Sequence, residues 1–282
     1  MPSPVAEMFR RAASLVRDDP RRNGNVVELA DAGEVIVAGD LHGNRNALSK
    51  IIHYAELGKD AARRLVLQEI IHGPADPASG KDRSIDLLVR AVRLMVEAPR
   101  QVIFLMGNHD LAQATGAEIL KSGGSACREF TAGVHHCFGA DGDEVLDGLG
   151  EMLLALPIAV RCPNRVLLSH SLPPPHRSSR ETLEVLQRPY EHADLRRGGA
   201  VYDWTWGRGQ TPEQIDMLAA QLDVDFFILG HAHSPEGYEL ITPRCVTIAS
   251  DNSSGCVVRF PTTQPLTAGA LPQYIKPIAA IR

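Results

Sequence analysis

Cysteine is scarce and odd in number, and it never falls in a C-x-x-C pair: Cys127, Cys137, Cys162, Cys245 and Cys256 are the five in 282 residues. That excludes a disulfide framework and a thiolate zinc knuckle, and it fits a reducing, cytosolic setting. Basic excess is lacking too. With 29 Lys and Arg against 34 Asp and Glu, the net charge is −5, so no global field holds a phosphate backbone and nucleic acid is not expected as a partner. Long apolar runs are missing: Met152 to Val160 is broken by Pro157 and is about half of the ~20 residues that span a bilayer, so no membrane partner is expected either. The first residues, MPSPVAEMFRRAASLVRDD, lack the apolar stretch of a secretory signal. Their helical spacing at Val5, Met8, Phe9, Ala12 and Val16 predicts an amphipathic helix. No H-E-x-x-H, G-x-S-x-G or dinucleotide glycine fingerprint occurs, and Gly80-Lys81 only echoes a phosphate loop, since Ala75 and Asp82 stand where it needs Gly and Ser or Thr. The nucleophile of an enzyme built on this chain is therefore water.

What is present is an ordinary globular composition, 44% hydrophobic and 22% charged. β-Branched runs predict strands at 34–38, 65–68, 102–105, 158–161, 166–168, 225–229, 245–249 and 256–260, with helices at 46–57, 85–97, 144–154 and 212–222 between many of them. Thr211, Pro212 and Gln214 read as the N-cap, first position and capping box of the last helix. The first half alternates β-α-β-α-β, and strands crowd together after Pro157. The expected fold is α/β, two mixed β-sheets packed face to face with flanking helices, as one catalytic domain over residues 1–260. Residues 261–282, with Pro265, Pro272 and Pro277, read as an extended Pro-rich arm. Two polar insertions, Gly73–Ser84 and Ser171–Ala200, are long enough to shape a site entrance.

The chemistry sits at strand ends. Strand 34–38 runs into Gly39-Asp40-Leu41-His42-Gly43, strand 65–68 delivers Glu69, and strand 102–105 delivers Gly107-Asn108-His109-Asp110. In the second half, apolar strands end in Ser169-His170 and in Gly230-His231-Ala232-His233. In extended chain, Asp40 and His42 share one side, and Asn108 and His109 point to opposite sides. Open α/β sheets place sites beyond the carboxyl ends of their strands. Asp40, His42, Glu69, Asn108, His170, His231 and His233 are too many ligands for one tetrahedral ion and enough for two that share a carboxylate.

This order of motifs resembles the calcineurin-like metallophosphoesterases, from about Val26 to Tyr238. Within them it resembles the phosphoprotein phosphatase branch through Asn25-Val26-Val27-Glu28-Leu29, Leu156-Pro157-Ile158-Ala159 and Trp206-Gly207-Arg208. The resemblance implies a four-layer sandwich and two divalent or trivalent ions, Mn, Fe or Zn. Asp40, His42, Glu69 and His233 would hold the first, and Glu69, Asn108, His170 and His231 the second. It further implies an activated water attacking a phosphomonoester, His109 protonating the leaving oxygen, and Arg208 with Asn108 and His109 holding the phosphate.

Three departures stand out. Gln68-Glu69-Ile70-Ile71-His72-Gly73 replaces the usual G-D-x-x-D-R-G, so the bridge is a Glu, the acid that orients His109 is His72, and a phosphate-clamping Arg is Gly73. Either His72 takes over as a phosphate donor, with Asp110 or Asp76 orienting His109, or acid catalysis is weakened. His233 belongs to the wider superfamily rather than to the phosphoprotein branch. The expected substrate is a phosphorylated protein. The alternatives are a small phosphoester or dinucleoside polyphosphate, which Arg45, Arg177 and Arg180 would suit, and a metal-binding pseudophosphatase without turnover.

Overall fold

The computed structural model describes residues 2–30, 32–121 and 124–282. Its strands are β1 (Arg22–Asn23), β2 (Val26–Glu28), β3 (Glu34–Asp40), β4 (Arg63–Gln68), β5 (Val102–Leu105), β6 (Leu120–Lys121), β7 (Gly124–Ser125), β8 (Ala159–Arg161), β9 (Val166–Ser169), β10 (Phe226–Leu229), β11 (Tyr238–Thr242), β12 (Cys245–Ile248), β13 (Cys256–Pro261) and β14 (Ile275–Pro277). Its α-helices are α1 (Pro4–Arg17), α2 (Arg45–Ala55), α3 (Ser84–Glu97), α4 (Asn108–Thr115), α5 (Ala126–Phe138), α6 (Gly142–Leu153), α7 (Arg180–Glu184), α8 (Ala200–Trp206), α9 (Pro212–Leu222) and α10 (Leu271–Tyr274).

Two mixed sheets carry the fold, ordered β1-β2-β8-β9-β10-β12-β11 and β14-β13-β3-β4-β5. Strand alternation explains how they stack. Val35, Val37, Val66, Ile103 and Leu105 of one sheet bury against Val160, Val166, Leu168, Phe226 and Ile228 of the other. The intervening Ile36, Ala38, Leu65, Leu67 and Phe104 face the helices.

Register gathers the site. In the parallel β3-β4-β5 ladder Asp40 pairs with Gln68 and Gln68 with Leu105, so three strands stop at one rim. Leu229 likewise pairs with Ser169, ending β9 and β10 together. The two sheets touch at this rim: Asp40 forms a parallel bridge with Ala249, and the Ser250 amide donates to the Asp40 carbonyl at 3.2 Å. Gly39 permits the approach, because a Cβ there would lie 2.2 Å from the Ile248 carbonyl oxygen.

Three sequence readings need correction. The 261–282 segment, expected as an extended arm, contains one helical turn and then β14, which pairs with β13. Ile278 and Ile281 are buried, and Lys50 Nζ donates to the Ile281 carbonyl at 2.7 Å, so this segment packs on the domain as part of it. Thr211 does cap α9, but Gln214 makes no capping box. Its backbone amide donates to Thr211 Oγ1, and its side-chain Nε2 donates to the Pro173 carbonyl at 2.7 Å and to Ser178 Oγ at 2.5 Å, tying α9 to the second insertion. That insertion is ordered around α7 and packs on α8, with Trp204 Nε1 donating to the Thr182 carbonyl at 2.8 Å.

Candidate metal centre and active site

A cavity of about 280 Å³ opens at the shared rim, lined by Asp40, His42, Glu69, Asn108, His109 and His231, with His233, Arg208 and Asp251 at its walls and the apolar Ile119, Leu120, Ala232 and Ala249 beside them. Neither polar insertion lines it. Leu120, the first residue of β6, is 78% exposed beside the cavity it lines.

The strand ends do not stay extended, as the alternation argument assumed. His42, Glu69, His72 and His231 all take positive φ, +39°, +42°, +61° and +65°. Such a backbone is strained for residues with a Cβ and clusters at functional sites. It turns each chain sharply, and the turns are stitched together: the amides of Leu41 and His42 both donate to the Glu69 carbonyl at 2.9 Å. Asn108 and His109 diverge because they begin α4, with Gly107 as its N-cap, and not because they lie in a strand.

Within this frame Glu69 is the common member of two donor groups, one with Asp40 and His170 and the other with His42 and His109. Its Oε1 lies 3.3 Å from His170 Nε2 and its Oε2 3.5 Å from His42 Nε2. Oε1 also accepts from the His109 amide at 2.7 Å. The four expected donors of the second set converge: Asn108 Oδ1 is 2.9 Å from His170 Nε2 and 2.7 Å from His231 Nδ1, and the two ring nitrogens are 3.1 Å apart. The expected first set is divided, since Asp40 and His42 meet Glu69 in different groups. His233 lines the cavity as an exposed residue and belongs to neither.

Whether these donors suit cations can be read from their protons. His170 Nδ1 faces Gln68 Oε1 at 2.8 Å, while Gln68 Nε2 donates to the Ala38 carbonyl at 2.9 Å, so His170 carries its proton on Nδ1 and presents a lone pair at Nε2. His42 Nδ1 donates to the Ile71 carbonyl at 2.9 Å, which in the neutral ring puts the lone pair on Nε2, 3.5 Å from Glu69 Oε2. Burial holds His170 far below the usual imidazole range, and burial, then the Arg208 charge, pushes His231 down to about 3. Both rings are neutral at pH 7, as metal ligands must be. Apart from the His109 amide on Glu69 Oε1, the acceptors of His170 Nε2 and Asn108 Oδ1 face one another with at most the single proton of His231 Nδ1 between them, an arrangement that suits a cation.

Two consequences are measurable. Gln68→Leu is expected to weaken metal affinity about 10–100-fold, the usual effect of losing the group that orients a ligating histidine; metal titration by calorimetry giving an unchanged affinity would remove Gln68 from the site. Burial pushes Asp40 up to about 7, so a raised acid must lose its proton to become a ligand. Metal uptake at pH 6 is then expected to release close to one proton from Asp40, and none from Asp40 at pH 8.5, with apparent affinity rising with pH up to about 7 and levelling above it. Calorimetry in buffers of different ionisation enthalpy reads the proton count; equal release at both pH values contradicts the assignment.

Behind the cavity the outcome differs from the first alternative drawn from the sequence. His72 is 1% exposed and is not in the cavity wall. Its Nδ1 lies 2.7 Å from His109 Nδ1. Asp110 does not orient His109: its carboxylate accepts from the Gly107 amide at 3.0 Å, and burial pushes it up to about 7 against the pull of the Gly107 and Glu69 backbone. Asp76 is held by Ser79 in the first insertion. Arg45, Arg177 and Arg180 pair with Asp86, Asp203 and Glu184, and none lines the cavity. Sequence reading passed over Gln68, Gln113 and Leu120. A polar residue closing an otherwise apolar strand signalled Gln68, and a helix begun at Asn108 would have put Gln113 one turn beyond His109, on the same face.

Among curated proteins none matches this chain. Its fold recurs among solved structures, two of which illustrate it. One is a protein serine/threonine phosphatase from Saccharomyces cerevisiae with similarity to human phosphatase PP5, at 16% identity over 90% of this chain and 81% of that one, with a TM-score of 0.67. The other is a cold-active protein-tyrosine phosphatase from a psychrophilic Shewanella species, at 15% identity over 87% and 78%, with a TM-score of 0.58. A profile of the calcineurin-like phosphoesterases matches residues 33–235, which contain the buried donors of both groups. With that match over most of its length, the chain belongs to the calcineurin-like phosphoesterases and is a metal-dependent hydrolase of phosphoric esters.

Proposed function

We propose that the chain is a two-metal phosphomonoesterase acting on phosphoserine, phosphothreonine or phosphotyrosine. The observation that carries the reading is the single buried carboxylate of Glu69, with one oxygen towards His170 and the other towards His42. Asp40, His42 and Glu69, joined by His233 from the rim, would hold one cation, and Glu69, Asn108, His170 and His231 the other. Manganese, iron or zinc suits such mixed imidazole and oxygen donors. Two cations so held neutralise phosphate oxygens and acidify a water for in-line attack. Among the described residues that line the cavity there is no Ser, Thr or Cys, which supports water as the nucleophile.

The chain's own groups supply the rest. Arg208 presents a guanidinium fork that matches two phosphate oxygens, and Asn108 adds an amide beside it. His109, with Nδ1 turned onto His72, would protonate the leaving oxygen from its other ring nitrogen. Arg208 is the one Lys or Arg among the described residues that line the cavity, against the carboxylates of Asp40, Glu69 and Asp251, and Ile119 and Leu120 make an apolar flank. That balance favours one phosphate on a partly apolar carrier over a polyphosphate. The five thiols, all free, support a reducing, cytosolic setting.

With manganese added, the wild type is expected to hydrolyse an aryl phosphate and phosphopeptides in preference to dinucleoside polyphosphates, and Asp40→Asn to lower the aryl phosphate rate about 100-fold, the effect of removing one preorganised charge. Equal rates for wild type and variant, two bound ions without turnover, or a preference for dinucleoside polyphosphates would each refute the proposal as stated.

A further inference from the structure

We propose that Gln113 is a positioning residue that acts through His72 to keep the exchangeable proton of His109 on one ring nitrogen. The inference rests on the reading of His109 as the general acid.

Three contacts form a line leading away from the cavity. His109 Nδ1 is 2.7 Å from His72 Nδ1, His72 Nε2 is 3.0 Å from Gln113 Oε1, and Gln113 Nε2 is 3.3 Å from Thr131 Oγ1 on α5. An amide oxygen only accepts, so His72 carries its proton on Nε2 and offers a lone pair at Nδ1. The 2.7 Å contact is then attractive only when His109 has a hydrogen on Nδ1. The His72 ring is buried and packs edge-on against Phe130 at 5.5 Å.

The polarity of this line matters for turnover. With Nδ1–H of His109 fixed, the N–H bond at its other nitrogen breaks as an O–H bond forms on the leaving oxygen. The imidazolium becomes imidazole, and a proton from water restores it. Nothing behind His109 has to rearrange. With His72 reversed, its Nδ1–H would face His109 Nδ1, and the protonated ring would meet it donor to donor. A carboxylate behind the histidine sets this polarity by its charge. A neutral imidazole sets it only if a further group decides which nitrogen bears the hydrogen, and Gln113 is that group.

The test uses Gln113→Leu, which removes the acceptor, and Gln113→Glu, which retains an acceptor and no donor. In metal-free, 15N-histidine-labelled wild type, NMR is expected to find His72 protonated on Nε2 and His109 on Nδ1, with the His72 tautomers mixed in Gln113→Leu. In the metal-loaded enzyme, Gln113→Leu is expected to lower kcat on a phosphoserine peptide about 10-fold, part of the 10²–10⁴ that general acid catalysis supplies. KM should hold, and dinitrophenyl phosphate, whose leaving group needs no proton, should change by less than about twofold. Gln113→Glu keeps the wild-type ratio of the two substrates. A proton on His72 Nδ1 in the wild type, equal slowing of both substrates by Gln113→Leu, or a Gln113→Glu variant that behaves like Gln113→Leu overturns the proposal. If the wild type hydrolyses neither substrate, the phosphatase reading fails, and the tautomer measurement still decides the relay.

Discussion

Gly107→Ala is expected to reduce aryl phosphate hydrolysis by about 10³-fold, because it displaces the shared carboxylate and with it several kcal/mol of charge stabilisation. Gly107 has φ −101° and ψ 175°, a backbone that alanine adopts freely, so strain is not the cause. The cause is space. A Cβ at 107 would lie 2.2 Å from Glu69 Cγ, 2.3 Å from Oε1 and 2.6 Å from Cδ. Glu69 must swing away, losing its 2.7 Å bond from the His109 amide and its place between His170 and His42. Elemental analysis of the purified variant should find both ions reduced although no donor residue has been changed. A variant with full metal content and wild-type turnover would show that the room beside Gly107 is dispensable.

Glu69→Gln is the companion case. It keeps the volume and one oxygen but removes the charge that two cations would divide between them, in a position only 2% exposed. Both ions are expected to bind more weakly and turnover to fall by about 10³-fold or more, since each cation then lacks its compensating charge in a medium of low dielectric. Glu69→Asp separates charge from reach: it keeps the carboxylate and shortens it by one methylene, and its loss should fall between those of wild type and Glu69→Gln. Metal binding to Glu69→Gln as tight as to wild type would show that the carboxylate is not shared.

Much of this was legible in the sequence because the signals are local. Apolar runs ending in Asp, Glu, Asn or His located the strand ends, and α9 is bounded by the residues its Thr211 and Pro212 announced. What was missed depends on partners distant in sequence. Gln214 was read against its neighbour Thr211, but it bonds 41 and 36 residues away. The proline-rich tail contains little regular patterning, yet its strand is dictated by the open edge of β13. His72 looked like a substitute phosphate donor because a missing Arg is visible in sequence, while the burial that sends it behind His109 is not. The left-handed turns at His42, Glu69 and His231 carry no glycine to announce them.

The rim where Asp40 bridges to Ala249 would give the proposed ions a second role. Glu69 and Asn108 come from one layer, and His170 and His231 from the other, with Asn108 and His231 123 positions apart in the chain. Seating a cation among them fastens the layers at their catalytic edge in the way a rivet holds two plates. Chelation would then do more than silence chemistry: it would release the plates at that edge, so that occupancy and mechanical cohesion rise and fall as one quantity.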